Sequence, residues 1–405
     1  MILRRLPCAQ SRWVFLFFLN LVLNLVFCLV IFPRLMSDTT GLDPDGYGSA
    51  GRALYETGRF ESITQAPLYP AFVALVSLLT GGYRLWTVQA AQCLMAACTC
   101  VLLYAIYRRS LEEPVAWWAG LACAVYPMSL WYTPRLWTET FLTFILAGLV
   151  LCLTSLLQNP TIPRALLCGV MASVAALSKG IALVFVLLIP LILLLHFRGK
   201  VRRQILPFIL AAAVLLAPWV WRNWTLTGEF LPVHANGGYN FYLGNGFARH
   251  WLQAPLSYAE LKAYTMQDAE GVYASLGIAE PVDPLVVDRI LLRAALSDVA
   301  ARPVLIPQKL VVQGLTFWYL AADAPKSILT GVLQFPVALM ALPGIVHALR
   351  RRSWALVLLV PLVGIMGVSV VVFAFARLSA TIMPYVIGLA VYGLWPIVER
   401  SRRTF

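Results

Sequence analysis

Long apolar runs alternate with short polar stretches along most of the chain. Runs of roughly 18 or more apolar residues recur from end to end, and each could cross a hydrocarbon core about 30 Å thick. The pattern predicts an all-α polytopic membrane protein with about ten full spans, within a range of about ten to thirteen. The predicted spans are residues 13–32, 85–107, 115–132, 136–157, 165–178, 181–197, 205–221, 328–349, 354–375 and 378–398.

Two shorter apolar segments, 67–79 and 304–320, are ambiguous, and charge helps to place them. Basic residues cluster at the ends of apolar runs, as the positive-inside rule expects. If these clusters are all cytoplasmic, successive loops alternate correctly between the two sides of the membrane only when neither ambiguous segment fully crosses. The clusters are Arg4 and Arg5, Arg108 and Arg109, residues 198–203, residues 350–352, and residues 400–403.

This arrangement predicts cytoplasmic termini and two large outer loops, 34–65 and 222–303, within a single membrane domain, 1–405, that has no separate soluble domain. Each loop contains a stretch with an apolar stripe at helical spacing, 45–57 and 285–301. Amphipathic helices of this kind lie flat in the membrane interface. The first 32 residues resemble a signal peptide, but the long apolar run without a small-residue cleavage site favours a retained anchor.

The composition supports the membrane interpretation. The chain is 60% hydrophobic and 12% charged, whereas a soluble domain carries about a quarter charged residues. A net charge of +13 also suits nucleic-acid binding, but the basic residues follow the span ends, so we expect no nucleic-acid partner. The eight cysteines and the histidines show no ligand spacing, so no metal site is assigned.

The polar residues that do not anchor loops lie on the outer side of the predicted topology. They are the acids Asp43, Asp45 and Glu139, the cations Lys179, Arg222 and Arg377, and a stretch with Asn236, Tyr239, Asn240 and Asn245. Each has a structural explanation as well. Asp45 could cap a helix, Glu139 suits a helix N-terminus, the cations could snorkel to the interface, and the glycines of "ANGGYNFYLGNG" suit tight turns.

The stretch "GLDPDGYGSAGRALYETGRF" (41–60) resembles the first outer loop of GT-C membrane glycosyltransferases. These include protein O-mannosyltransferases and lipid A aminoarabinose transferases, and the chain resembles glycosyltransferase family 39. Their pattern is an acid, three residues, an aromatic residue and then "A..L...G", which Asp43, Tyr47, Leu54 and Gly58 match. The next segment, "QAPLYPAF", resembles their "PPLYP", although Gln65 and Ala66 replace the usual leading proline or lysine.

Four later motifs follow in the order of the same family, so the resemblance covers nearly the whole chain. "PRLWTETF" resembles the second acidic motif, with Glu139 at the key position. "ALSKGIAL" places Lys179 where the family usually has arginine in a helix break. "PWVWRNWTLTGEFLPVHANGGYNFYLGN" contains Arg222, and "FARLSATIMPYVIGLAVYGL" opens the last span with Arg377.

The resemblance implies a transferase that moves a sugar from a polyprenyl-phosphate donor to a lipid, glycan or protein acceptor outside the cytoplasm. It implies a bacterial inner-membrane protein with Asp43 as catalytic base and Asp45 as the alternative. Glu139 would orient the partner of Asp43, hold a metal or bind the sugar. Lys179, Arg222 and Arg377 would bind the donor phosphate, while Tyr47 and the residues of the asparagine-rich stretch would bind sugar or acceptor.

The chemistry of such a site explains these residue types. Attack of an acceptor hydroxyl opposite the phosphate inverts the anomeric carbon and needs a carboxylate within hydrogen-bond reach. The phosphate leaves as an anion, so it needs positive charge in a low-dielectric site rather than a general acid. No cofactor is assigned, and a divalent cation remains open.

Two other functions fit the same pattern. A flippase or transporter for lipid-linked sugars would use the spans and the phosphate-binding cations, but it would not need a catalytic acid in an outer loop. The absence of an obvious pair of inverted, broken helices counts against a secondary transporter. A non-catalytic scaffold for envelope synthesis would tolerate single changes at Asp43, Glu139 and Arg222.

Overall fold

The fold is known from a computed structural model that describes residues 9–35, 41–197, 202–254, 256–278 and 283–403. All regular elements in these ranges are helical, so the predicted all-α class is confirmed. The basic residues Arg4, Arg5, Arg198 and Lys200 lie outside the described residues. The α-helices are α1 (Ala9–Val26), α2 (Phe32–Leu35), α3 (Tyr47–Thr57), α4 (Leu68–Leu79), α5 (Leu85–Ser110), α6 (Glu113–Ala124), α7 (Pro127–Tyr132), α8 (Thr138–Gln158), α9 (Ile162–Ser178), α10 (Val184–Phe197), α11 (Arg202–Thr227), α12 (Gly237–Gln253), α13 (Tyr258–Ser275), α14 (Pro284–Ala301), α15 (Leu305–Tyr319), α16 (Ala324–Arg351), α17 (Leu359–Pro361), α18 (Gly367–Val371), α19 (Ala376–Ser379) and α20 (Met383–Arg403).

Within the described part of the chain, seven helical segments are long and apolar enough to cross a membrane, and three shorter apolar helices accompany them. The chain is therefore an integral membrane protein. The long segments are Ser11–Leu35, Leu85–Ser110, Thr138–Gln158, Gly180–Phe197, Arg203–Thr227, Ala324–Arg351 and Trp354–Val371, and the shorter ones are Leu68–Leu79, Ile162–Ser178 and Met383–Glu399.

The predicted span 115–132 is not one continuous helix, because the structure divides it into α6 and α7. Tyr126 is extended, with φ −67° and ψ 119°, and Pro127 is the first residue of α7. Proline lacks the N–H that would continue the helix, and it disfavours helical geometry in the residue before it. The helix is therefore interrupted within the segment that leads to α8.

The predicted span 354–375 ends earlier than expected. It consists of a 3₁₀ turn (Trp354–Leu358), α17, a π-helical turn (Leu362–Met366) and α18, which ends at Val371. Phe375 is extended, with φ −158° and ψ 162°. This extended link places the short helix α19 at the end of the preceding span rather than within the next one.

The two ambiguous segments form α4, with 12 residues, and α15, with 15 residues. At 1.5 Å per residue these helices measure roughly 18 Å and 22 Å, less than a hydrocarbon core of about 30 Å. Their lengths agree with partial insertion, and the statement that neither fully crosses stays a prediction.

The predicted turns in the asparagine-rich stretch were wrong, because the stretch opens α12. A Cβ on Gly238 would overlap the carbonyl of Asp288 in α14, and one on Gly244 would overlap the carbonyl of Val372. The glycines therefore permit close packing instead of forming turns. With α13 and α14, α12 forms a helical layer in the predicted outer loop. The amphipathic helices predicted at 45–57 and 285–301 correspond to α3 and α14.

A cluster of charges joins α1, α5 and α6 at one end of the membrane domain. Glu113 accepts hydrogen bonds from Arg12 and Tyr104, both at 2.6 Å, and its other oxygen lies 3.0 Å from Arg108. Near the opposite end of α5, Gln92 donates to the Thr133 carbonyl at 2.8 Å. At 1.5 Å per residue, about 24 Å of helix separates residues 92 and 108, so the turn before α8 lies on the other side of the domain from the basic cluster.

Candidate active site

Four of the predicted site residues form one chain of ion pairs. Glu139 Oε1 accepts from Lys179 Nζ at 2.6 Å and from Arg377 Nε at 2.7 Å. Arg377 Nη1 donates to Asp45 Oδ2 at 2.5 Å. The structure therefore brings together two acids and two cations that come from four distant segments of the sequence.

Each of these charges sits where a helix begins, ends or breaks. Glu139 lies in the first turn of α8, where the helix N-terminus favours an acid. Lys179 is the extended residue between α9 and a 3₁₀ turn, Gly180–Leu183, and Arg377 lies in the single turn of α19. The ends of several membrane helices thus point polar groups at one place.

Glu139 is 1% exposed, so its charge depends on the two cations. A buried carboxylate without partners would be strongly disfavoured. Its second oxygen, Oε2, has no hydrogen-bond partner among the described residues. The same residue lines a cavity of about 60 Å³ between α1, α5, α6, α7, α8 and α20, which is large enough for a few water molecules that could solvate this oxygen.

Arg377 is held between the two acids and an aromatic ring. Its guanidinium carbon lies 4.2 Å from the Trp137 ring centroid. Burial opposes the positive charge, but the attraction of Glu139 and Asp45 outweighs it and raises the pKa of Arg377 above its usual value. Its Nη2 atom is buried and has no hydrogen-bond partner in the described part of the chain, so one edge of the guanidinium is unused.

Asp43 has a different environment from the other acids. Its oxygens accept from the Gly48 amide at 3.0 Å, the Ser49 amide at 2.8 Å and the Ser49 hydroxyl at 2.9 Å. Asp43 is therefore the acid that caps α3, and the expectation that Asp45 would cap this helix was wrong. A Cβ on Gly48 would lie 3.1 Å from Asp43 Oδ2, so glycine permits this approach.

Backbone contacts fix the acidic loop against the start of α8. The Leu136 amide donates to the Leu42 carbonyl at 3.0 Å, and the Gly46 amide donates to the Asp43 carbonyl at 3.1 Å. Gly46 has φ +68°, a left-handed conformation that glycine adopts without strain. These contacts place Asp43 and Asp45 at the same helix ends as Glu139.

Arg222 lies in another part of this surface. It donates to the carbonyls of Ser62, at 3.0 Å, and Phe60, and it lies 4.6 Å from the Trp219 ring centroid. These contacts fix the end of the first outer loop to α11. None of the contacts found for the described residues joins Arg222 to the Arg377 cluster, and its phosphate-binding role stays a prediction.

Two predicted sugar-binding residues lie at the edge of the site. Tyr47 is 8% exposed, and its ring lies 6.0 Å from that of Tyr69. Burial and then the charge of Asp45 raise its pKa. Asn236 is the N-cap residue of α12 and donates to the Thr64 carbonyl at 2.8 Å, so it links the two outer loops.

The other three predicted sugar-binding residues lie along α12. The Tyr239 amide bonds Asp288 at 2.9 Å, and Asn240 is half-buried in the first turn of the helix. Asn245 is 1% exposed and bonds the Ala295 carbonyl at 3.1 Å and Lys309 at 2.8 Å. Its contacts favour a structural role, and sugar binding by all three stays a prediction.

Sequence reasoning missed Tyr258 and His234 beside the site. The ring of Tyr258 lies 5.1 Å from that of Phe375, two residues before Arg377, and burial raises its pKa. A Cβ on Gly180 would lie 2.6 Å from His234 Nε2, so this ring packs on the turn after Lys179. Burial lowers the pKa of His234 to about 4, which keeps it neutral near pH 7.

The available ligands for a cation are limited. In the described ranges, no group of three or more His, Cys, Asp or Glu side chains converges as a metal site. Asp43 and Asp45 lie two positions apart and have different partners, so a cation bound by both would have to compete with the cap and the Arg377 ion pair. A requirement for a divalent cation stays untested.

Residues 64–222 match the family model for dolichyl-phosphate-mannose-protein mannosyltransferases. Among solved structures, the oligosaccharyltransferase of Archaeoglobus fulgidus in its apo form aligns over 98% of this chain and 52% of its own, with a TM-score of 0.54 and 13% identity. Its complex with Zn and sulfate aligns over 95% and 50%, with a TM-score of 0.58 and 12% identity. The chain has the GT-C fold. This confirms the resemblance stated from the motifs, and the chain spans about half the length of the archaeal enzyme.

A third similar structure is ArnT from Cupriavidus metallidurans bound to undecaprenyl phosphate. It aligns over 97% of this chain and 79% of its own, with 17% identity and a TM-score of 0.44. A comparison with curated proteins finds no match.

Proposed function

We propose that this GT-C protein is an inverting glycosyltransferase that moves a sugar from a polyprenyl-phosphate donor to an acceptor on the outer face of the membrane. The observation that carries the proposal is the buried cation pair, Lys179 and Arg377, held by Glu139 and Asp45 next to the capped carboxylate of Asp43. Such a site offers positive charge for a leaving phosphate and a separate carboxylate for the attacking hydroxyl.

Arg377 and Lys179 would stabilise the leaving phosphate. Both are largely removed from solvent, with side chains 10% and 17% exposed, and preorganised charges act more strongly in such surroundings than in water. Arg377 is also held against Trp137, so little reorganisation is needed when charge develops on the phosphate oxygen. Glu139 would position both cations instead of taking a proton, since it is buried and paired with them.

Asp43 is the best candidate for the base. Among the described residues it is the one of the three acids that has no ion pair, because Asp45 and Glu139 are both paired with Arg377. Its oxygens accept three hydrogen bonds, and a carboxylate has about four acceptor positions. One position therefore remains for the acceptor hydroxyl, while the three donors fix the carboxylate in place.

The donor class and the location rest on further observations. The family that matches residues 64–222 takes its name from a sugar carried on dolichyl phosphate, which supports a polyprenyl-phosphate donor here. The site lies across the membrane domain from the cluster of Arg12, Arg108 and Glu113. If that cluster is cytoplasmic, the site faces the opposite side, which in a bacterial inner membrane is the periplasmic side.

The test compares purified wild type with Asp43→Asn. Each is incubated with a panel of polyprenyl-phosphate sugars and a membrane-lipid extract, and both free polyprenyl phosphate and glycosylated product are measured. We expect wild type to form both, and Asp43→Asn to lose at least 100-fold in rate, the scale of general base catalysis. Asp283→Asn is the matched control, because Asp283 caps α14 away from the site.

Three outcomes separate the alternatives. Full activity of Asp43→Asn would refute Asp43 as base. Transfer of labelled lipid-linked sugar across reconstituted vesicles without any glycosylated product would refute the transferase and support a flippase. No product and no transport with a widened donor panel, while both variants complement a deletion strain, would support a scaffold.

A further inference from the structure

The guanidinium of Arg377 is only partly used by its protein partners. Nε bonds Glu139, and Nη1 bonds Asp45 through the single oxygen Oδ2. Nη2 is buried and has no hydrogen-bond partner among the described residues. An arginine fork can donate two parallel hydrogen bonds to a carboxylate or a phosphate. Asp45 accepts only one, from Nη1, and the Nη2 donor remains unused.

The exposure of the partners shows which side of the cluster is open. The Asp45 side chain is 46% exposed, whereas that of Arg377 is 10% exposed and that of Glu139 is 1% exposed. A ligand that arrives from solvent or from the membrane surface therefore meets Asp45 first. Displacement of Asp45 frees the Nη1 donor of Arg377, while the hydrogen bond from Nε to Glu139 stays in place.

The charges of the cluster are balanced while Asp45 is bound. Lys179 and Arg377 supply two positive charges, and Glu139 and Asp45 supply two negative charges. An anionic ligand therefore meets no net attraction from these four groups. If the carboxylate of Asp45 turns to solvent, one positive charge remains, which matches the single negative charge of a phosphodiester.

Only the side chain of Asp45 needs to move. Its carbonyl accepts a hydrogen bond from the Gln65 side chain at 2.5 Å, and the adjacent Gly46 amide is fixed on the Asp43 carbonyl. Rotamer changes of exposed side chains occur in picoseconds to nanoseconds. The exchange is therefore fast and leaves the capped helix α3 and Asp43 unchanged.

We infer that Asp45 occupies a phosphate-binding position on Arg377 in the ligand-free protein and is displaced when the phosphate of a lipid-linked ligand binds. The identity of the ligand rests on the proposed function, whereas the exchange itself requires only a phosphate that reaches the Arg377 fork. After transfer, the free phosphate monoester carries more charge than the diester, about −1.5 to −2. Asp45 would compete with this product for Arg377, and its return to the guanidinium would favour release of the product.

The inference is tested by calorimetric binding of farnesyl phosphate to the purified full-length protein in lipid nanodiscs. We expect Asp45→Asn to bind about tenfold more tightly than wild type, since a competing charge-assisted interaction of about 1.4 kcal/mol corresponds to this factor. The control is Glu56→Gln, a change of the same charge in α3 at a side chain paired with Arg52, which should leave the affinity unchanged.

Two further ligands define what is bound. Farnesol, which has no phosphate, should not distinguish Asp45→Asn from wild type. Inorganic phosphate should show the same gain as farnesyl phosphate if the phosphate alone is recognised, and no gain if the lipid chain is required to reach the fork. Either result leaves the exchange in place and identifies its source.

Equal or weaker binding of farnesyl phosphate to Asp45→Asn would overturn the inference, because Asp45 would then be neutral for the ligand or part of its binding site. The binding assay contains no sugar, so it is independent of the transferase proposal. Tighter binding without glycosyl transfer would support the exchange and refute the proposed function. Transfer activity in wild type without tighter binding in Asp45→Asn would do the reverse.

Discussion

Replacement of Glu139 by glutamine tests whether the charged cluster is held by a true buried carboxylate. The substitution keeps the shape of the side chain and removes its charge. In the wild type, Glu139 Oε1 lies 2.6 Å from Lys179 Nζ and 2.7 Å from Arg377 Nε. After the substitution, Lys179 loses its counter-ion, and Arg377 keeps Asp45 alone.

The expected loss follows from burial. Removing one partner of a buried ion pair costs about 3–5 kcal/mol, because it leaves an uncompensated charge in a low-dielectric site. The double variant Glu139→Gln, Lys179→Met also removes the stranded ammonium. We therefore expect it to be less destabilised than the single Glu139 variant, with a favourable coupling of about 2 kcal/mol between the two changes.

The assay is thermal unfolding in detergent, followed by the fluorescence of the 13 tryptophans, with wild type, both single variants and the double variant measured together. Glu56→Gln is the control, because its side chain is 49% exposed and an exposed pair contributes about 0–1 kcal/mol. If Glu139→Gln unfolds at the same temperature as Glu56→Gln, the carboxylate does not stabilise the cluster. If the double variant is no better than Glu139→Gln, the two charges are not coupled.

Three further predictions concern the two predicted outer loops and the helices that contact them. Burial lowers the pKa of Lys309 to about 7, so between about pH 7 and 10 the unfolded chain binds more protons than the folded protein does. The free energy of unfolding therefore rises with pH in this range. Lys309→Met should flatten the corresponding rise in unfolding temperature between pH 7 and 9. Gly238→Ala should separate α12 from α14 and lower the unfolding temperature, whereas Gly237→Ala, where a Cβ meets open space, should not. Arg222→Met should speed proteolysis at residues 60–62, because Arg222 holds the Phe60 and Ser62 carbonyls against α11. Weaker farnesyl phosphate binding in the same variant would support the predicted phosphate contact.

The membrane helices were largely predictable, because their signal is local. A run of apolar residues must lie in lipid or in the core whatever its neighbours are, and α5, α8 and α16 begin and end within a few residues of the predicted spans. The division of span 115–132 was also visible in the sequence as Tyr126–Pro127. A hydropathy average does not register this dipeptide, because both residues lie within an apolar run. The restriction that proline places on the conformation of the residue before it does indicate a helix break.

The helix α12 could not be predicted in the same way. Glycine is favoured in turns and disfavoured in helices by its own conformational freedom, so "ANGGYNFYLGNG" reads as a loop. Close packing of Gly238 on Asp288 and of Gly244 on Val372 stabilises the helix and outweighs the preference of glycine for turns. Those partners lie 50 or more residues away, and nothing local to the stretch reveals them.

The motifs picked out Asp45, Glu139, Lys179 and Arg377, which the structure brings together, but they did not show how these charges pair. Asp45 and Arg377 are 332 positions apart, and either Asp43 or Asp45 could have capped α3 from spacing alone. The left-handed turn at Gly46 decides the assignment, because it directs Asp43 back to the amides of α3 and leaves Asp45 facing Arg377. Resemblance to a family predicts which residue types occur in a motif. Which of the two aspartates caps α3 depends on the conformation of one turn.

The position of the charges at helix ends also explains why the site can exchange one anion for another. A charge in the middle of a membrane helix is costly, so it is paired or faces a water-filled cavity. Lys179, Glu139 and Arg377 instead lie at breaks where one side of the cluster meets the exposed loop that carries Asp45. The buried acid, Glu139, can hold the cations in place at all times, while the exposed acid neutralises them only until a phosphate arrives. A site with two buried acids would bind phosphate weakly, because neither acid could be displaced. A site with no acid would have two unpaired buried cations. The unequal burial of Glu139 and Asp45 therefore keeps the cations paired and still allows phosphate to bind.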